Sequence, residues 1–162
     1  MGTMGKKIIE VDSIKLVQSL NSLFADEWLA YYQYWIGAKV VKGPMRTAVV
    51  AELDEHATDE LRHAQMLSTR ILQLGGKLII NPNDLSKLAG CKYLEPSDPH
   101  VKEILKQNIK GEQCAIEGYN KLIKEVAGKD FATYDMLLQI LEDEIEHEDD
   151  LEAILEDIDL IK

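Results

Sequence analysis

The chain is poor in residues that punctuate a fold. Of its 162 residues only four are proline, and 6% are aromatic. So few breaks exclude a sandwich of many short strands and favour a handful of long elements. Cysteine occurs only as Cys91 and Cys114. Two cysteines build no disulfide framework, and nothing in their use requires an oxidising compartment. No apolar run approaches the ~20 residues of a membrane span, and the opening Met1 to Lys7 has no apolar signal core. The expected location is therefore the cytoplasm, with no membrane partner. Positive charge is also short: 18 Lys and Arg stand against 29 Asp and Glu, a net charge of −11. That balance argues against gripping DNA through its phosphates, which needs surplus cations, and Lys6-Lys7 is a poor version of a basic tail. An acidic surface suits cation traffic, and it serves solubility equally well.

What is present is ordinary for one globular domain, with 46% hydrophobic and 29% charged residues. Residues 8–162 read as that domain. Residues 1–7 read as a disordered terminal segment or a remnant of cloning, with no function assigned. The spacing predicts four long helices. The first runs from about Val11 to Val41 and stops at Gly43-Pro44. The second begins near Pro44, a residue suited to a first helical turn, and ends at Gly75-Gly76. The third starts at an Asp98 cap followed by Pro99 and ends at Gly128. The fourth covers about Asp130 to Ile161. The stretch from Gly75 to Ser97 carries Asn81-Pro82-Asn83 and Glu95-Pro96, so it is not one helix, although a short helix fits Asp84 to Leu88. Tight links make antiparallel neighbours, and a long middle link can cross a bundle from end to end. The expected fold is all-α: two antiparallel hairpins joined by a long crossover between helices two and three.

Each predicted helix has an apolar stripe at steps of three and four, the spacing of a buried face. Polar residues interrupt all four. Helix one reads Leu20, Leu23, Glu27, Tyr31, Tyr34. Helix two reads Leu53, His56, Glu60, His63, Leu67. Helix three reads Ile109, Glu112, Ile116, Tyr119. Helix four reads Ile140, Glu144, His147, Leu151. Residues three apart share a face, so Glu60 with His63, and Glu144 with His147, aim at one point. A single glutamate in such a stripe reads as a surface residue in a misplaced register. Six residues in the order Glu, Glu-x-x-His, Glu, Glu-x-x-His do not. A lone buried carboxylate costs several kcal/mol, and four together repel one another. Two divalent cations balance four carboxylates, and neutral imidazoles complete their coordination. This mixed set suits iron or manganese better than zinc. Such an arrangement is known for di-iron carboxylate bundles.

At these motifs the sequence resembles bacterioferritin. The segments are Asp26-Glu27-Trp28-Leu29-Ala30-Tyr31-Tyr32-Gln33-Tyr34, Asp59-Glu60-Leu61-Arg62-His63-Ala64 and Asp143-Glu144-Ile145-Glu146-His147, with Glu112 where the third-helix ligand belongs. The resemblance implies a ferritin-like bundle holding two iron ions, replaceable in a crystal by manganese or zinc. Glu60 and Glu144 would bridge the irons, Glu27 and His63 would cap one, and Glu112 and His147 the other. Tyr34 would be an electron donor or hydrogen-bond partner, or simply a core tyrosine. Three departures follow. Leu61 stands where that family's haem-binding methionine would be, so no haem is expected. The sequence ends at Lys162, soon after His147, leaving no room for the fifth helix of 24-subunit ferritins. A 12-subunit homo-oligomeric cage like that of Dps proteins is expected instead, although Dps proteins place their iron site between subunits. Finally, Cys91 and Cys114 resemble the pair in Dps-like thioferritins. Cys114 lies two residues after Glu112, about 200° around the helix, so it is no direct ligand. It would sit beside the site, paired with Cys91 if the crossover folds back, or the two remain free thiols. If they pair, the resemblance implies that thiolate–disulfide chemistry supplies electrons during peroxide reduction.

The implied activity is a ferroxidase. It oxidises Fe(II) with hydrogen peroxide or dioxygen, stores Fe(III) in the cage and protects against oxidative stress. The alternative is a rubrerythrin-like di-iron peroxidase without storage. Against it, position 115 is alanine rather than a further glutamate, and two cysteines build no rubredoxin module. A structural bundle without metal meets the unpaired-carboxylate cost. Outside the six residues, His56 reads as a hydrogen-bonded core histidine, His100 as solvated, Trp28 and Trp35 as packing residues, and the acidic end of helix four as a solvated face.

Overall fold

The structure is a computed structural model and describes residues 3–161. Four helices form the bundle: α1 (Ser13–Val40), α2 (Arg46–Gln73), α3 (Val101–Val126) and α4 (Phe131–Leu160). Met4–Lys7 forms one exposed helical turn, while Met1 and Gly2, at the head of the segment assigned no function, lie outside the described residues. No β-strand is present among the described residues, which matches the all-α expectation. The crossover holds a short 3-10 turn, Pro82–Asp84, and a helical turn, Leu85–Leu88.

The helix starts follow their capping chemistry. Asp12 accepts from the Ile14 and Lys15 amides at α1, and Asp130 accepts from the Thr133 amide at α4. These contacts satisfy donors a helix leaves open at its N-terminus. The start of α3 differs from expectation. Asp98 caps the turn before the helix by accepting from His100 N, and His100 is the cap itself, its Nδ1 accepting from Lys102 N. His100 is extended and its carbonyl accepts the first helical bond, from Ile104 N, so the helix begins at Val101. At the end of α2, Gly75 takes a left-handed φ of 74° and the Gly76 amide reaches back to the Ile71 carbonyl. A Cβ on Gly76 would stand 2.5 Å from Val17 Cγ1, so the close approach to α1 also needs glycine.

The α1–α2 and α3–α4 hairpins pack against each other, α1 beside α3 and α2 beside α4. Lys42 and His100 form an isolated backbone bridge, with Lys42 N donating to Pro99 O and Val101 N to Lys42 O, that ties the first hairpin's loop to the start of α3. The crossover therefore travels the length of the bundle. Its path over α1 and α3 is fixed by side chains. Asp26 accepts from Cys91 N at 2.8 Å, Gln33 accepts from Leu94 N at 2.9 Å, and Gln107 donates to the Leu94 carbonyl at 2.6 Å.

The core is split. One apolar cluster, including Leu20, Leu67, Ile71, Leu137 and Ile140, fills one end. Another, including Val49, Leu53, Ile104, Leu105 and Leu151, fills the other. Each fully buried aliphatic side chain contributes about 1.5–3 kcal/mol. Those two clusters hold the bundle shut around the polar layer between them. Trp28 and Trp35 are not in either; they are 38% and 41% exposed.

Candidate metal centre

Glu27, Glu60, His63, Glu112, Glu144 and His147 all lie in the layer between the apolar clusters, each no more than 3% exposed. Each comes from mid-helix, where rigid backbone fixes its direction. Their donor atoms form two overlapping groups, Glu27–Glu60–His63–Glu144 and Glu60–Glu112–Glu144–His147, within which one atom per residue lies inside 4.8 Å of the others. Glu60 and Glu144 belong to both. The groups are related as two half-sites, one centred on His63 and one on His147.

The imidazoles are turned inward through Nδ1. His63 Nδ1 stands 3.0 Å from Glu144 Oε1, 3.3 Å from Glu27 Oε2 and 3.7 Å from Glu60 Oε2. His147 Nδ1 stands 3.5 Å from Glu60, 3.8 Å from Glu144 and 3.9 Å from Glu112. Both Nδ1 atoms, with Glu27 Oε2, Glu60 Oε1 and Glu144 Oε1, are buried without a hydrogen-bond partner. Buried polar atoms are nearly always satisfied. Five orphans gathered in these two groups are donors arranged for something other than one another, and a pair of divalent cations fits that donor set in charge and ligand type.

The outer nitrogens are held from behind. His63 Nε2 meets Asp143 Oδ2 at 3.0 Å, and His147 Nε2 lies 3.7 Å from Asp59 Oδ2. A carboxylate there favours a proton on Nε2, so that a cation displacing the Nδ1 proton would meet that nitrogen's lone pair; the contact is at hydrogen-bond length for His63 and longer for His147. Arg62 ties the two supports together, donating to Asp59 at 2.8 Å and Asp143 at 2.9 Å. Two phenols complete the exchange. Tyr34 of α1 donates to Glu112 of α3, and Tyr119 of α3 donates to Glu27 of α1. Tyr34 was singled out in the sequence. Tyr119, Asp59, Asp143 and Arg62 were not, although the signal was available: tyrosine follows both Glu27 and Glu112 by seven residues, and aspartate precedes each Glu-x-x-His.

Charge is shared unevenly. Burial, and then the Glu144 and Glu60 charges, push Glu27 well above its ordinary range; Glu112 is pushed up by the same causes. Burial also opposes ionisation of Glu60 and Glu144, but contacts with His147 and His63 win and hold both below their usual values. Burial would lower the two histidines. Their carboxylate contacts outweigh it, raising His63 strongly and His147 to about 10. Protons thus balance the four carboxylates where cations would otherwise do so.

Cys91 and Cys114 are joined as a disulfide, with Cα atoms 5.9 Å apart. It lines a cavity of about 410 Å³ between α1, the crossover and α3. Cys91 also lines a narrower one of about 30 Å³, on which Glu27, Tyr34, Glu60, Glu112 and Glu144 open. Ala115 lines the same wall, so no further carboxylate enters the centre from that turn of α3.

Fold and side chains together define a four-helix bundle with a carboxylate–imidazole core. A family model described as Ferritin, ferritin-like domain, matches residues 17–161, and the chain belongs to that family. It is 40% identical to a dodecameric thioferritin, the bacterioferritin-related protein of Bacteroides fragilis, with a TM-score of 0.96 over 99% of this chain and 100% of that one. It is 34% identical to the DNA protection during starvation protein of Pyrococcus furiosus, across 90% of this chain and 79% of the relative. It is 28% identical to bacterioferritin of Brucella melitensis, across 88% and 83%.

Proposed function

We propose that the protein oxidises ferrous iron and stores the ferric product in a homo-oligomeric cage of twelve subunits, which protects against peroxide by removing ferrous iron. The observation that carries this reading is the gathering of five unpartnered buried donor atoms in two overlapping carboxylate–imidazole groups. The resemblance to a dodecameric thioferritin over the whole chain supports the cage.

In this reading residues 8–162 act as one domain. Glu27 and His63 would hold one ferrous ion and Glu112 and His147 the other, with Glu60 and Glu144, which belong to both groups, shared between them. The iron pair supplies two electrons, one from each ion; hydrogen peroxide takes both with two protons and becomes two waters, while dioxygen taking both yields peroxide. The protein's part is geometry and charge. Asp143 and Asp59 keep the imidazoles aimed. Tyr34 and Tyr119 hold the terminal carboxylates and stand within reach of the centre as proton donors. The apolar clusters exclude bulk water above and below. The disulfide lies outside the ligand shell; once an external thiol reductant has opened it to two thiols, re-forming the Cys91–Cys114 bond releases two electrons and two protons toward the centre.

A rubrerythrin-like peroxidase without storage is the competing reading, and alanine at position 115 counts against it. Size-exclusion with light scattering after loading excess ferrous iron in air separates the two. A particle of about twelve chains carrying far more than two irons per chain is expected. A small oligomer that saturates near two irons per chain removes storage.

A further inference from the structure

The seam between α2 and α4 carries a second set of metal-type donors that the centre does not use. Glu52 and His56 lie one turn apart on α2, and Asp150 faces them from α4. His56 Nε2 stands 3.1 Å from Glu52 Oε1 and 3.8 Å from Asp150 Oδ2. One donor atom from each of the three lies within 4.8 Å of the others.

His56 raises this above a meeting of surface acids. The sequence suggests a hydrogen-bonded core histidine, but the ring is 2% exposed and its Nδ1 has no partner. Nδ1 lies on the ring edge turned away from the two carboxylates, so the core offers the ring no polar partner and its one engaged nitrogen is the one facing Glu52 and Asp150. The ring's polar engagement is confined to Nε2, which is turned between two carboxylates. Glu52 and Asp150 have side chains 26% and 45% exposed, so the cluster opens to solvent. Crowding by Asp150 and Glu55, after burial, raises the Glu52 carboxyl, a repulsion that a bound cation relieves.

The geometry points to a third divalent-cation site built from Glu52, His56 and Asp150. One imidazole and two carboxylates form a ligand set for a first-row transition ion such as Fe(II) or Mn(II), with remaining positions left to water. The His56 ring stacks on the His147 ring at 4.0 Å. A ferrous ion at this site is therefore one helical turn from the centre, on the seam away from the crossover, and is placed to pass in or out. That transit role rests on the iron-oxidising reading above; the site itself does not.

The test uses crystals of the full chain soaked anaerobically with Co(II) and read by anomalous scattering at the cobalt edge. The expected result is two peaks among the six central residues and a third between Glu52, His56 and Asp150, with the third lost in the E52Q/D150N double variant. Central peaks alone in the unmutated protein overturn the third site and leave the proposed function standing. A seam peak alone supports the third site and overturns the central pair. A third peak that persists in E52Q/D150N belongs to other donors and overturns the assignment. For transit, stopped-flow oxidation of Fe(II) beyond two ions per chain should slow at least threefold in E52Q/D150N, and equal rates remove that role.

Discussion

The two half-sites use the same parts but not the same distances. Around His63, the supporting Asp143 carboxylate is in hydrogen-bond contact at 3.0 Å; around His147, Asp59 stands off at 3.7 Å. His63 is fully buried among carboxylates, whereas His147 is stacked against His56. Arg62 leans on both supports, and its counterpart in the second motif, position 146, is glutamate. Two copies of one motif thus become a tighter and a looser half. Each histidine is oriented by the helix opposite, so each half depends on the other's backbone.

The seam beside the centre offers a second contrast. At one end Arg70 and Asp130 are buried and paired at 2.8 Å, with Thr133 donating to the same carboxylate. Toward the other end, Glu52 and Asp150 have only neutral His56 between them, because burial and then the His147 charge lower His56 to about 4. The first cluster is complete within the protein. The second brings two carboxylates to one neutral imidazole, and the proposed cation would complete it.

The sharpest break in the half-site comparison is at the shared carboxylates. Glu60→Ala and Glu144→Ala should each abolish binding of both ions, read by anaerobic Co(II) titration, because each residue belongs to both groups. A variant that keeps one ion at full affinity would show that the halves are independent. Next in size is the paired end of the seam. Asp130→Ala strands the buried Arg70 charge and should cost about 3–5 kcal/mol in urea unfolding. Its acid dependence follows in sign. Bonds from Thr133 and Arg70 overcome burial and hold folded Asp130 below its ordinary 3.8. The unfolded chain therefore takes up the proton first. The stabilisation is complete above the unfolded value and fades as pH falls through the folded one, a slope that the variant should lack.

The third prediction tests the asymmetry itself. Asp143→Asn should weaken one ion by about 10–100-fold, the usual effect of removing a carboxylate behind a ligating histidine. Asp59→Asn should weaken the other by less, because its contact is longer. Equal losses would mean that Arg62 evens out the two supports. The smallest effects belong to the phenols. Tyr34→Phe and Tyr119→Phe each remove one hydrogen bond to a carboxyl group that is pushed toward its neutral form, worth about 0.5–1.5 kcal/mol. The two should be matched in metal affinity. A larger loss of oxidation rate in Tyr34→Phe alone would identify it as a redox participant rather than a brace.

The stripes made much of this legible. Leu20, Leu67, Leu137 and Leu151 mark buried faces by their spacing, and the same register places the six polar residues in the core. Boundaries shifted by a residue or two: the second helix starts at Arg46 after a left-handed Met45 rather than at Pro44, and the third at Val101 rather than Pro99. Tyr119 was visible as a stripe residue, but its role was hidden, because its partner Glu27 lies 92 positions away on another helix. Asp59 and Asp143 looked like solvated neighbours of ligands for the same reason.

By itself, then, the sequence determined the helices, their inward faces and the identity of the residues in the polar layer, since helical period is a local property of the chain. The family resemblance rests on those same residues. Only the tertiary structure decided who meets whom. It set Asp143 behind His63 rather than on its own helix, crossed the tyrosines between hairpins, closed Cys91 onto Cys114 through a crossover anchored by Asp26, and left His56 facing Glu52 and Asp150. Those contacts depend on the rotation and offset of packed helices, which no single helix's spacing contains.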